Sequence, residues 1–354
     1  MKKIVLYIGS LGRCGAERVM TNIANYLSNQ YEVTLVSDAN KSADGYPLDE
    51  RINCVCLGMT NGGLKGNLKR IKMLREIVRH AKPDAVLSFM GPTNIRMLLA
   101  TSDVKVRKIV SVRNDPRVEY GNGLRRAFAR LIFRSASGCV FQTQEAMDYF
   151  QKSVRRKSKI IWNPVADKFF ERSWTPVREE IAVVGRLVPQ KNPLLALESF
   201  RLISDGYPNV HLTYYGSGPL KESIIAKADE YKLNDRVTII DNVPNIEDYI
   251  SSARLFLMAS NFEGMPNALM EAMTVGLPCL STDCPCGGPK AISEGFSADM
   301  LVPCNDAEAI ASRMKGLLSD ESKQKELSSK ERERSSLFRM ELVMKKWEDF
   351  LFKE

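Results

Sequence analysis

Short apolar segments alternate with helical stretches along the whole chain of 354 residues, and this alternation restricts its fold more than any other feature. A helix is predicted over Glu17–Leu27, because apolar side chains such as Val19 and Ile23 recur on one face. In the first half, six apolar segments predict buried strands: Ile4–Ile8, Glu32–Ser37, Ala85–Phe89, Lys108–Val112, Gly138–Gln142 and Lys159–Trp162. Strands that alternate with helices are typical of parallel sheets.

The second half of the chain repeats this pattern. Strands are predicted at Ile181–Val184, Val210–Tyr215, Val237–Ile240, Leu255–Met258, Pro278–Ser281 and Met300–Val302. Helices are predicted at Pro193–Ile203 with Asn192 as its cap, and at Leu220–Tyr231, Ile246–Ser252 and Asp306–Leu318. Two such blocks imply an α/β protein with two Rossmann-like domains, each built on a doubly wound parallel sheet.

The join between the two blocks is predicted near Asn163–Val165, which gives domains of residues 1–165 and 166–337. The stretch 322–335 is strongly polar and predicts a solvated helix or a linker. After it, Met340–Leu351 regains apolar residues at helical spacing, among them Trp347 and Phe350. A final helix is therefore expected at the end of the chain.

Composition argues against a membrane-spanning chain and against a bound metal. No apolar run approaches the roughly 18–20 residues that span a bilayer. The short apolar start is interrupted by Gly12 and predicts a buried strand, not a signal peptide. The eight cysteines are scattered, and the C-x-C spacing of Cys284 and Cys286 is unusual for structural zinc. We therefore predict a cytoplasmic protein with reduced thiols and without a metal ion or cofactor.

The net charge of +9 is unevenly distributed. Residues 1–168 contain 29 Lys and Arg against 14 Asp and Glu, a net charge of +15, and the remainder carries −6. A basic half of this kind indicates an anionic partner, for which an anionic membrane surface and a nucleic acid are the candidates. The membrane surface is favoured over nucleic acid, because no RNP-like, helix-turn-helix or zinc-finger motif is present.

Two glutamates, Glu263 and Glu271, are separated by seven residues in the segment Asn261–Gly276. Pro266 is predicted to open a helix that includes Glu271, and Leu255–Met258 is the strand before it, so Glu263 lies on the loop between them. Open α/β sheets bind ligands at such junctions. Two hydrogen-bond acceptors beside a helix N-terminus suit a ligand with an anionic centre and hydroxyl groups at both ends, such as a nucleotide sugar.

Three glycine-containing turns also follow predicted strands. Val184–Asn192 contains Arg186 and Lys191, two cations that suit a diphosphate. Gly9–Glu17 opens a helix whose first amides favour phosphate. Gly216–Pro219 is a turn after the next strand of the second half. Taken alone, each of these segments is also compatible with a purely structural turn.

Together these segments resemble the retaining glycosyltransferases of family 4, which adopt the GT-B fold of two Rossmann-like domains that face a cleft. Glu263–Glu271 resembles the family's E-x(7)-E signature and Val184–Asn192 its G-R-L-x-x-x-K-N stretch. Gly15–Val19 resembles its G-G-A-E-R-V stretch, with Cys14 in place of the first glycine. The resemblance covers essentially the whole chain. It implies that the final helix, about residues 338–354, packs back on the first domain.

The resemblance also implies roles for individual residues. Glu263 would orient the donor sugar and Glu271 would hold the nucleotide ribose. Arg186 and Lys191 would stabilise the departing diphosphate without a metal ion, which makes Glu263, Arg186 and Lys191 the candidate catalytic residues. Further donor contacts are implied for Gly15, Gly185, Gly216, Val243, Gly264, Met265, Pro266 and Asn267.

Two residues of the first domain are candidates for contact with the acceptor or a phosphate. Glu17 lies on the loop that faces the cleft in relatives. Arg113 stands where many relatives carry a histidine, and it cannot act as a base near neutral pH. It either stabilises the leaving phosphate, binds an anionic part of the acceptor, or forms a salt bridge at the end of its strand.

Two basic amphipathic stretches, Leu64–Lys82 and Leu124–Ser135, are candidates for contact with an anionic membrane. The basic residues proposed for this contact are Lys69, Lys72, Arg75, Arg125, Arg126 and Arg130. The alternative is that each stretch is a domain helix that buries its apolar face and solvates its basic face.

These expectations combine into a hexosyltransferase at the inner face of the bacterial cytoplasmic membrane, acting as a monomer or weak dimer and without a nucleic acid partner. It would move a hexose or N-acetylhexosamine from a UDP-sugar to a polyprenyl-diphosphate-linked saccharide, with retention, in the assembly of O-antigen, capsule, lipopolysaccharide or another glycan. Two alternatives stay open. They are a nucleotide-sugar 2-epimerase of similar fold and a non-catalytic basic protein that binds lipid or nucleic acid.

Overall fold

The computed structural model describes residues 1–353 except Arg13, Asp44, Thr60, Asn61 and Asn242. Arg13 of the glycine-rich loop and Asn242, which precedes Val243, therefore lie outside the described residues. The chain divides into two compact units, one of Met1–Pro164 with Glu341–Glu354 and the other of Val165–Met340. The boundaries expected from the sequence, at 165 and about 338, lie within a few residues of these limits.

The first unit is built on a seven-stranded parallel sheet in the order β3-β2-β1-β4-β5-β6-β7. Its elements are β1 Lys3–Ile8, α1 Gly15–Leu27, β2 Glu32–Ser37, β3 Asn53–Cys56, α2 Gly63–Ala81, β4 Ala85–Phe89, α3 Gly91–Ala100, β5 Arg107–Ser111, α4 Pro116–Tyr120, α5 Gly123–Ile132, β6 Gly138–Phe141, α6 Gln144–Asp148, α7 Lys152–Arg155 and β7 Ser158–Ile160. The central strands are buried on both faces, as expected for a parallel sheet covered by helices.

The second unit is built on a six-stranded parallel sheet in the order β10-β9-β8-β11-β12-β13. Its elements are α8 Asp167–Phe170, β8 Glu180–Val184, α9 Pro193–Ser204, β9 His211–Tyr215, α10 Lys221–Glu230, β10 Val237–Ile240, α11 Ile246–Ser252, β11 Leu255–Met258, α12 Asn267–Val275, β12 Cys279–Thr282, α13 Gly288–Ile292, α14 Ser297–Met300, β13 Leu301–Val302, α15 Ala307–Leu318 and α16 Glu321–Ser335. Two doubly wound α/β domains are therefore confirmed.

The direction of strand addition reverses once in each sheet. In the first unit the reversal lies between β1 and β4, and in the second between β8 and β11. Loops that leave the carboxyl ends of two such neighbouring strands diverge and leave a crevice in which open α/β proteins bind ligands. Two of the predicted motifs, the turn after β8 and the loop after β11, lie at the reversal of the second sheet.

Two predictions for secondary structure differ from the structure. The strand β3 was not predicted, because it is an edge strand whose residues Cys54 and Cys56 are exposed, so it lacks the apolar pattern of a buried strand. The stretch 322–335, predicted as a solvated helix or a linker, is helical as part of α16, but this helix is not fully solvated because it buries Leu327 and Glu331. The Glu331 carboxylate accepts a hydrogen bond from the Cys279 amide at 2.9 Å and so ties this polar helix to β12.

The last helix, α17 Met340–Phe352, packs within the first unit. Trp347 is 1% exposed, and its ring centre lies 5.6 Å from that of Phe89 at the end of β4. Phe352 stacks on Tyr31 with ring centres 4.1 Å apart. The helix is therefore part of the core of the first unit, although 176 residues of the second unit, Val165–Met340, separate it in sequence.

Replacing Trp347 with Ala removes a buried indole and leaves a cavity, so we expect the free energy of unfolding to fall by about 3–5 kcal/mol. The control is Leu342→Ala on the same helix, because Leu342 is 42% exposed, and we expect a change below about 1 kcal/mol. Urea unfolding followed by circular dichroism measures both. Equal losses in the two variants would contradict packing of α17 through Trp347.

Candidate active site

The turn after β8 and the turn after β9 approach each other through two glycines. Gly185 and Gly216 have φ values of 147° and 151°, and a Cβ on Gly216 would lie 2.1 Å from the carbonyl oxygen of Gly185. The Gly185 amide donates to the Tyr215 carbonyl at 3.0 Å. This close approach leaves no room for a side chain at Gly216. The path of the loop that carries Arg186 and Lys191 depends on the same close approach.

The loop between β11 and α12 is hydrogen-bonded to the turn after β8. The Asn261 amide donates to the Gln190 carbonyl at 2.8 Å, and the Gln190 side chain donates to the Phe262 carbonyl at 3.1 Å. Asn192 occupies the position before α9, with a φ of 46°, but its side chain makes no capping hydrogen bond. It donates instead to the Asn261 side chain at 3.1 Å. The predicted N-cap position of Asn192 is therefore confirmed, but its side chain does not bond to the helix.

The contact between Lys191 and Glu263 joins the two most specific motifs of the sequence. Lys191 Nζ lies 2.5 Å from Glu263 Oε1, and Ser260 Oγ donates to the same oxygen at 2.7 Å. The side chain of Glu263 is 7% exposed and that of Lys191 is 22% exposed. Because a buried carboxylate is costly unless a cation and hydrogen bonds compensate it, this pair fixes the position of both loops.

Glu271 lies in the middle of α12 and is 5% exposed. The helix begins at Asn267, and Pro266 stands before it with an extended ψ of 99°, which corrects the prediction that Pro266 is within the first turn. In the preceding loop, Gly264 packs closely against Gly288. A Cβ atom on Gly288 would lie 1.9 Å from the carbonyl oxygen of Gly264. The two predicted acids thus occupy the loop and the helix of one junction.

The remaining predicted donor residues lie on neighbouring loops of the second unit. Arg186 is exposed on the turn after β8, whereas Met265 is buried just before α12. Val243 is half-buried on the loop after β10, and that strand is held beside the turn after β9 because the Gly216 amide donates to the Ile240 carbonyl at 2.9 Å. These loops all leave the carboxyl ends of adjacent strands.

Cys284 is buried close to the loop that carries Glu263. Burial, and secondarily the charge of Glu263, raises the pKa of its thiol far above the ordinary value. A thiol with a raised pKa stays protonated near neutral pH and is a poor nucleophile. The groups of this junction that can interact with a ligand near neutral pH are therefore carboxylates, an ammonium group and backbone amides.

In the first unit, Gly15 begins α1 and Glu17 stabilises its start. Glu17 Oε2 accepts from the Cys14 amide at 2.8 Å, and Oε1 accepts from the Ser10 hydroxyl. This is a capping box, in which a carboxylate in the first turn of a helix bonds back to the preceding loop. Glu17 thus holds the glycine-rich loop, and its contact with an acceptor or phosphate stays a prediction.

Arg113 is buried in the first unit beyond the end of β5. Its guanidinium donates to the Asn163 side chain and lies 4.7 Å from the centre of the Phe89 ring. Burial lowers the pKa of Arg113 to about 9 and raises the pKa of the nearby Glu119 to about 8. The structure thus gives Arg113 protein partners inside this unit, and its contact with an acceptor or a leaving phosphate stays a prediction.

Sequence reasoning missed two residues that shape the junction around Glu263. Ser260 donates a hydrogen bond to Glu263. The signal in the sequence that could have identified Ser260 is that it is the first polar residue after the apolar strand β11. No local sequence pattern predicts the role of Gly288. Glycine is needed there because the backbone approaches Gly264, a residue distant in sequence.

Comparison with protein families matches both units. Residues 14–166 match the glycosyl transferase 4-like domain, and residues 166–334 match glycosyl transferases group 1. The junction of the two matches lies beside the boundary between the two compact units at Pro164 and Val165. Together the matches span most of the chain.

Two relatives are similar over nearly the full length. The amylovoran biosynthesis glycosyltransferase AmsD of Erwinia amylovora is 25% identical over 368 residues, which cover 99% of each chain. An α-1,4-N-acetyl-D-galactosaminyltransferase of Campylobacter jejuni, named for the acceptor GalNAc-α-(1→4)-GalNAc-α-(1→3)-diNAcBac-PP-undecaprenol, is 24% identical over 358 residues. That match covers 98% of this chain and 97% of the relative.

Among solved structures, HepE of Anabaena in complex with UDP superposes with a TM-score of 0.81 at 15% identity, over 99% of each chain. At this identity the likeness concerns the fold, and it agrees with the two parallel-sheet α/β domains described above. The family matches, the full-length relatives and this architecture lead to one conclusion. The chain belongs to the group 1, family 4-like glycosyltransferases, and its two domains have the GT-B fold.

Proposed function

We propose that this glycosyltransferase moves a hexose or N-acetylhexosamine, with GalNAc, GlcNAc, Gal and Glc as candidates, from a UDP-sugar to a hydroxyl group of a lipid-linked saccharide. The setting is the assembly of a bacterial surface polysaccharide or glycan, the anomeric configuration is retained, and no metal ion takes part. One observation carries the proposal. The contact between Lys191 and Glu263 brings a cation and a carboxylate from two motifs together at the junction that precedes α12.

The charges of the second unit suit a nucleoside diphosphate sugar. Lys191 and the exposed Arg186 supply positive charge for the diphosphate. The start of α12 adds backbone donors that favour an anion. Glu263 is assigned to hydroxyl groups of the sugar and Glu271 to hydroxyl groups of the ribose, because carboxylates accept hydrogen bonds from such groups.

Retention follows from displacement on one face of the sugar. The acceptor hydroxyl attacks the anomeric carbon from the side on which the diphosphate leaves. The bond to the diphosphate oxygen breaks, the bond to the acceptor oxygen forms, and the hydroxyl proton passes to the departing phosphate. Lys191 and Arg186 stabilise the negative charge that develops on the diphosphate, which is the task a metal ion performs in other transferases.

The choice of a lipid-linked acceptor rests on the relatives. The Campylobacter enzyme is named for an undecaprenyl-diphosphate-linked acceptor, and AmsD is named for amylovoran biosynthesis. Both are similar to this chain over its full length, so the likeness includes the first unit as well as the second. The choice of a UDP-sugar is supported by the UDP bound to HepE.

Helix α5 supports docking of the first unit on an anionic membrane. Leu124, Phe128 and Leu131 are 90%, 50% and 62% exposed, while Ala129 is buried. Most of the apolar face of α5 therefore lies outside the core of its unit, although Ile132 is half-buried. An exposed apolar face beside arginines is the pattern of a helix that lies in a membrane interface.

The predicted membrane arginines of α5 have different surroundings. Arg125 is exposed. Arg130 Nε donates to the Tyr149 carbonyl at 2.8 Å, and the Arg126 guanidinium lies 4.7 Å from the centre of the Tyr149 ring. Arg125 is thus the best placed of the three for lipid headgroups, and Arg126 and Arg130 also fix the helix to its domain.

Helix α2 is mainly a domain helix. Leu74 and Val78 are buried, and Arg75 donates to the Ala100 carbonyl at 3.0 Å. Lys69 and Lys72 are exposed and stay in the proposed membrane contact. Within the described parts of the chain, every helix is too short or too polar to span a bilayer.

Lys191→Met and Glu263→Gln are each expected to lower sugar transfer by about a hundredfold or more, since both remove interactions with the donor. The assay follows transfer from UDP-Glc, UDP-Gal, UDP-GlcNAc, UDP-GalNAc and GDP-mannose to a polyprenyl-diphosphate-linked saccharide. Lys227→Met is the matched control, because it breaks an exposed pair with Glu230. Near-normal transfer by Lys191→Met and Glu263→Gln would refute this donor site. Turnover of a UDP-sugar without any acceptor would instead refute the transfer reaction and favour the nucleotide-sugar 2-epimerase.

Metal independence predicts that transfer continues in EDTA at an unchanged rate, because protein cations receive the charge of the diphosphate. The same reaction, followed by NMR of the anomeric proton, reports whether configuration is retained. Loss of transfer in EDTA with recovery on added Mg²⁺ or Mn²⁺ would contradict the metal-free reaction. An inverted product would contradict displacement on one face.

Replacing Leu124 and Leu131 together with Ser is expected to weaken binding to vesicles of phosphatidylglycerol by about tenfold or more, because two exposed apolar anchors are lost. Co-sedimentation measures the bound fraction. Leu342→Ser is the control, since Leu342 is a partly exposed leucine on α17. If the double variant co-sediments like the wild type, α5 does not contribute to membrane binding.

A further inference from the structure

A cavity of about 470 Å³ opens in the first unit at the carboxyl edge of its sheet. Gly9 follows β1, Asp38 follows β2, and Pro92 and Arg96 belong to α3, so the cavity lies where the strand order reverses between β1 and β4. Arg70 of α2 completes the wall. This is the position at which an open α/β sheet binds ligands, and none of the donor residues assigned above lies there.

The lining of this cavity carries more positive than negative charge. Arg70 and Arg96 are 5% and 9% exposed, and Asp38 is 6% exposed. Asp38 Oδ2 lies 2.5 Å from Arg96 Nη2, whereas Asp38 Oδ1 lies 3.6 Å from Arg70 Nε. Asp38 is the one acid among the described lining residues. Arg70 also donates to the Met59 carbonyl at 3.0 Å. The described lining therefore holds two buried guanidinium groups and one carboxylate, a local excess of positive charge that an anion would complement.

Polar neighbours hold the two arginines in place, and for Arg70 these are the Met59 carbonyl and Asp38. Arg96 Nε donates to the Tyr7 hydroxyl at 2.9 Å, and that hydroxyl donates to Asp38 Oδ1 at 2.6 Å. Arg96 Nη1 donates to Asn67 Oδ1 at 3.0 Å. Because these guanidinium groups are already ordered, a ligand that meets them does not have to immobilise flexible side chains.

The turn that leads into α3 is strained. Met90, between β4 and α3, has a φ of 77° and a ψ of 151°, a conformation that favours glycine. Its amide donates to the Ser111 carbonyl at 3.2 Å, which helps to hold it there. Strain of this kind persists where the surrounding structure enforces it, often beside ligands, and here it sets the start of α3, with Pro92, against the cavity.

We propose that this cavity binds a carboxylate or phosphate group of the acceptor, so that the enzyme prefers an acidic acceptor saccharide to a neutral one. Guanidinium groups recognise the oxygen atoms of both anions through forked N–H donors. A cavity of this size has room for a sugar ring that carries the group. The identity of the carrier as the acceptor rests on the proposed function, whereas the anion site rests on the charge and geometry of Arg70, Arg96 and Asp38.

The test measures binding of inorganic phosphate, glucuronate and glucose to the full chain by calorimetry, with UDP present at saturation so that phosphate does not occupy the donor site. We expect phosphate or glucuronate to bind and glucose not to bind. Arg70→Gln should weaken that binding about ten- to hundredfold, because it removes a charged hydrogen-bonding group. Arg51→Gln is the matched control, since Arg51 pairs with Asp49 on the surface of the same unit.

The outcomes separate this proposal from the donor site. UDP binding without any binding of phosphate or glucuronate to the wild type overturns the anion site and leaves the donor site standing. Anion binding without UDP binding overturns the donor site alone. Equal anion affinity in Arg70→Gln and the wild type overturns the role of Arg70.

A second measurement applies if Arg70→Gln does not fold. Hydrogen exchange of the wild type, with UDP at saturation, compares the amides of residues 62–74 and 91–97 with and without the anion that calorimetry identifies. We expect slower exchange in both segments, because the anion joins α2 to α3. Unchanged exchange in both segments overturns the placement of the site.

Discussion

The second domain depends on one buried pair of opposite charges, Lys191 and Glu263. The strands β8 and β11 are parallel neighbours, so the loops that follow them leave the same edge of the sheet. A carboxylate that is 7% exposed has to meet a cation there or leave the interior. The close approach of Gly216 to Gly185 and of Gly288 to Gly264 leaves these loops little room to rearrange. The ion pair and the glycines therefore constrain each other, which explains why these residue types occur together in the two motifs.

The first domain uses the same topology with a different balance of charge. Its sheet also reverses strand order between two parallel neighbours, β1 and β4. There Asp38 meets two buried arginines instead of one lysine. In the second domain one carboxylate meets one cation, whereas in the first domain one carboxylate meets two guanidinium groups. One crevice thus suits a ligand with hydroxyl groups and a diphosphate, and the other suits a single anionic group.

The sequence predicted those parts of the fold that local chemistry controls. The bounds of β2, β4, β10, β11 and α11 agree with the predictions. The strands β2, β4 and β11 are largely buried, the edge strand β10 consists of β-branched residues, and α11 is a short amphipathic helix. The edge strand β3 has no clear apolar pattern and was missed. Asn192 lies at the predicted cap position, but its side chain donates a hydrogen bond to Asn261, a residue distant in sequence. The same limit applies to Gly288 and to the anion cavity, whose residues meet only after folding.

The high charge of the first half-chain, +15 over residues 1–168, consists of two physically different kinds of cation. Exposed cations such as Arg125 act over a distance that salt shortens to roughly 8–10 Å, so they attract a charged surface without selecting a particular group. Buried cations such as Arg70 and Arg96 are screened far less, and their fixed directions discriminate between anions. A lipid-linked acceptor presents both a charged bilayer and individual anionic groups. In the proposed function, separate cations for the two tasks would allow membrane affinity to vary with salt while acceptor choice stays constant.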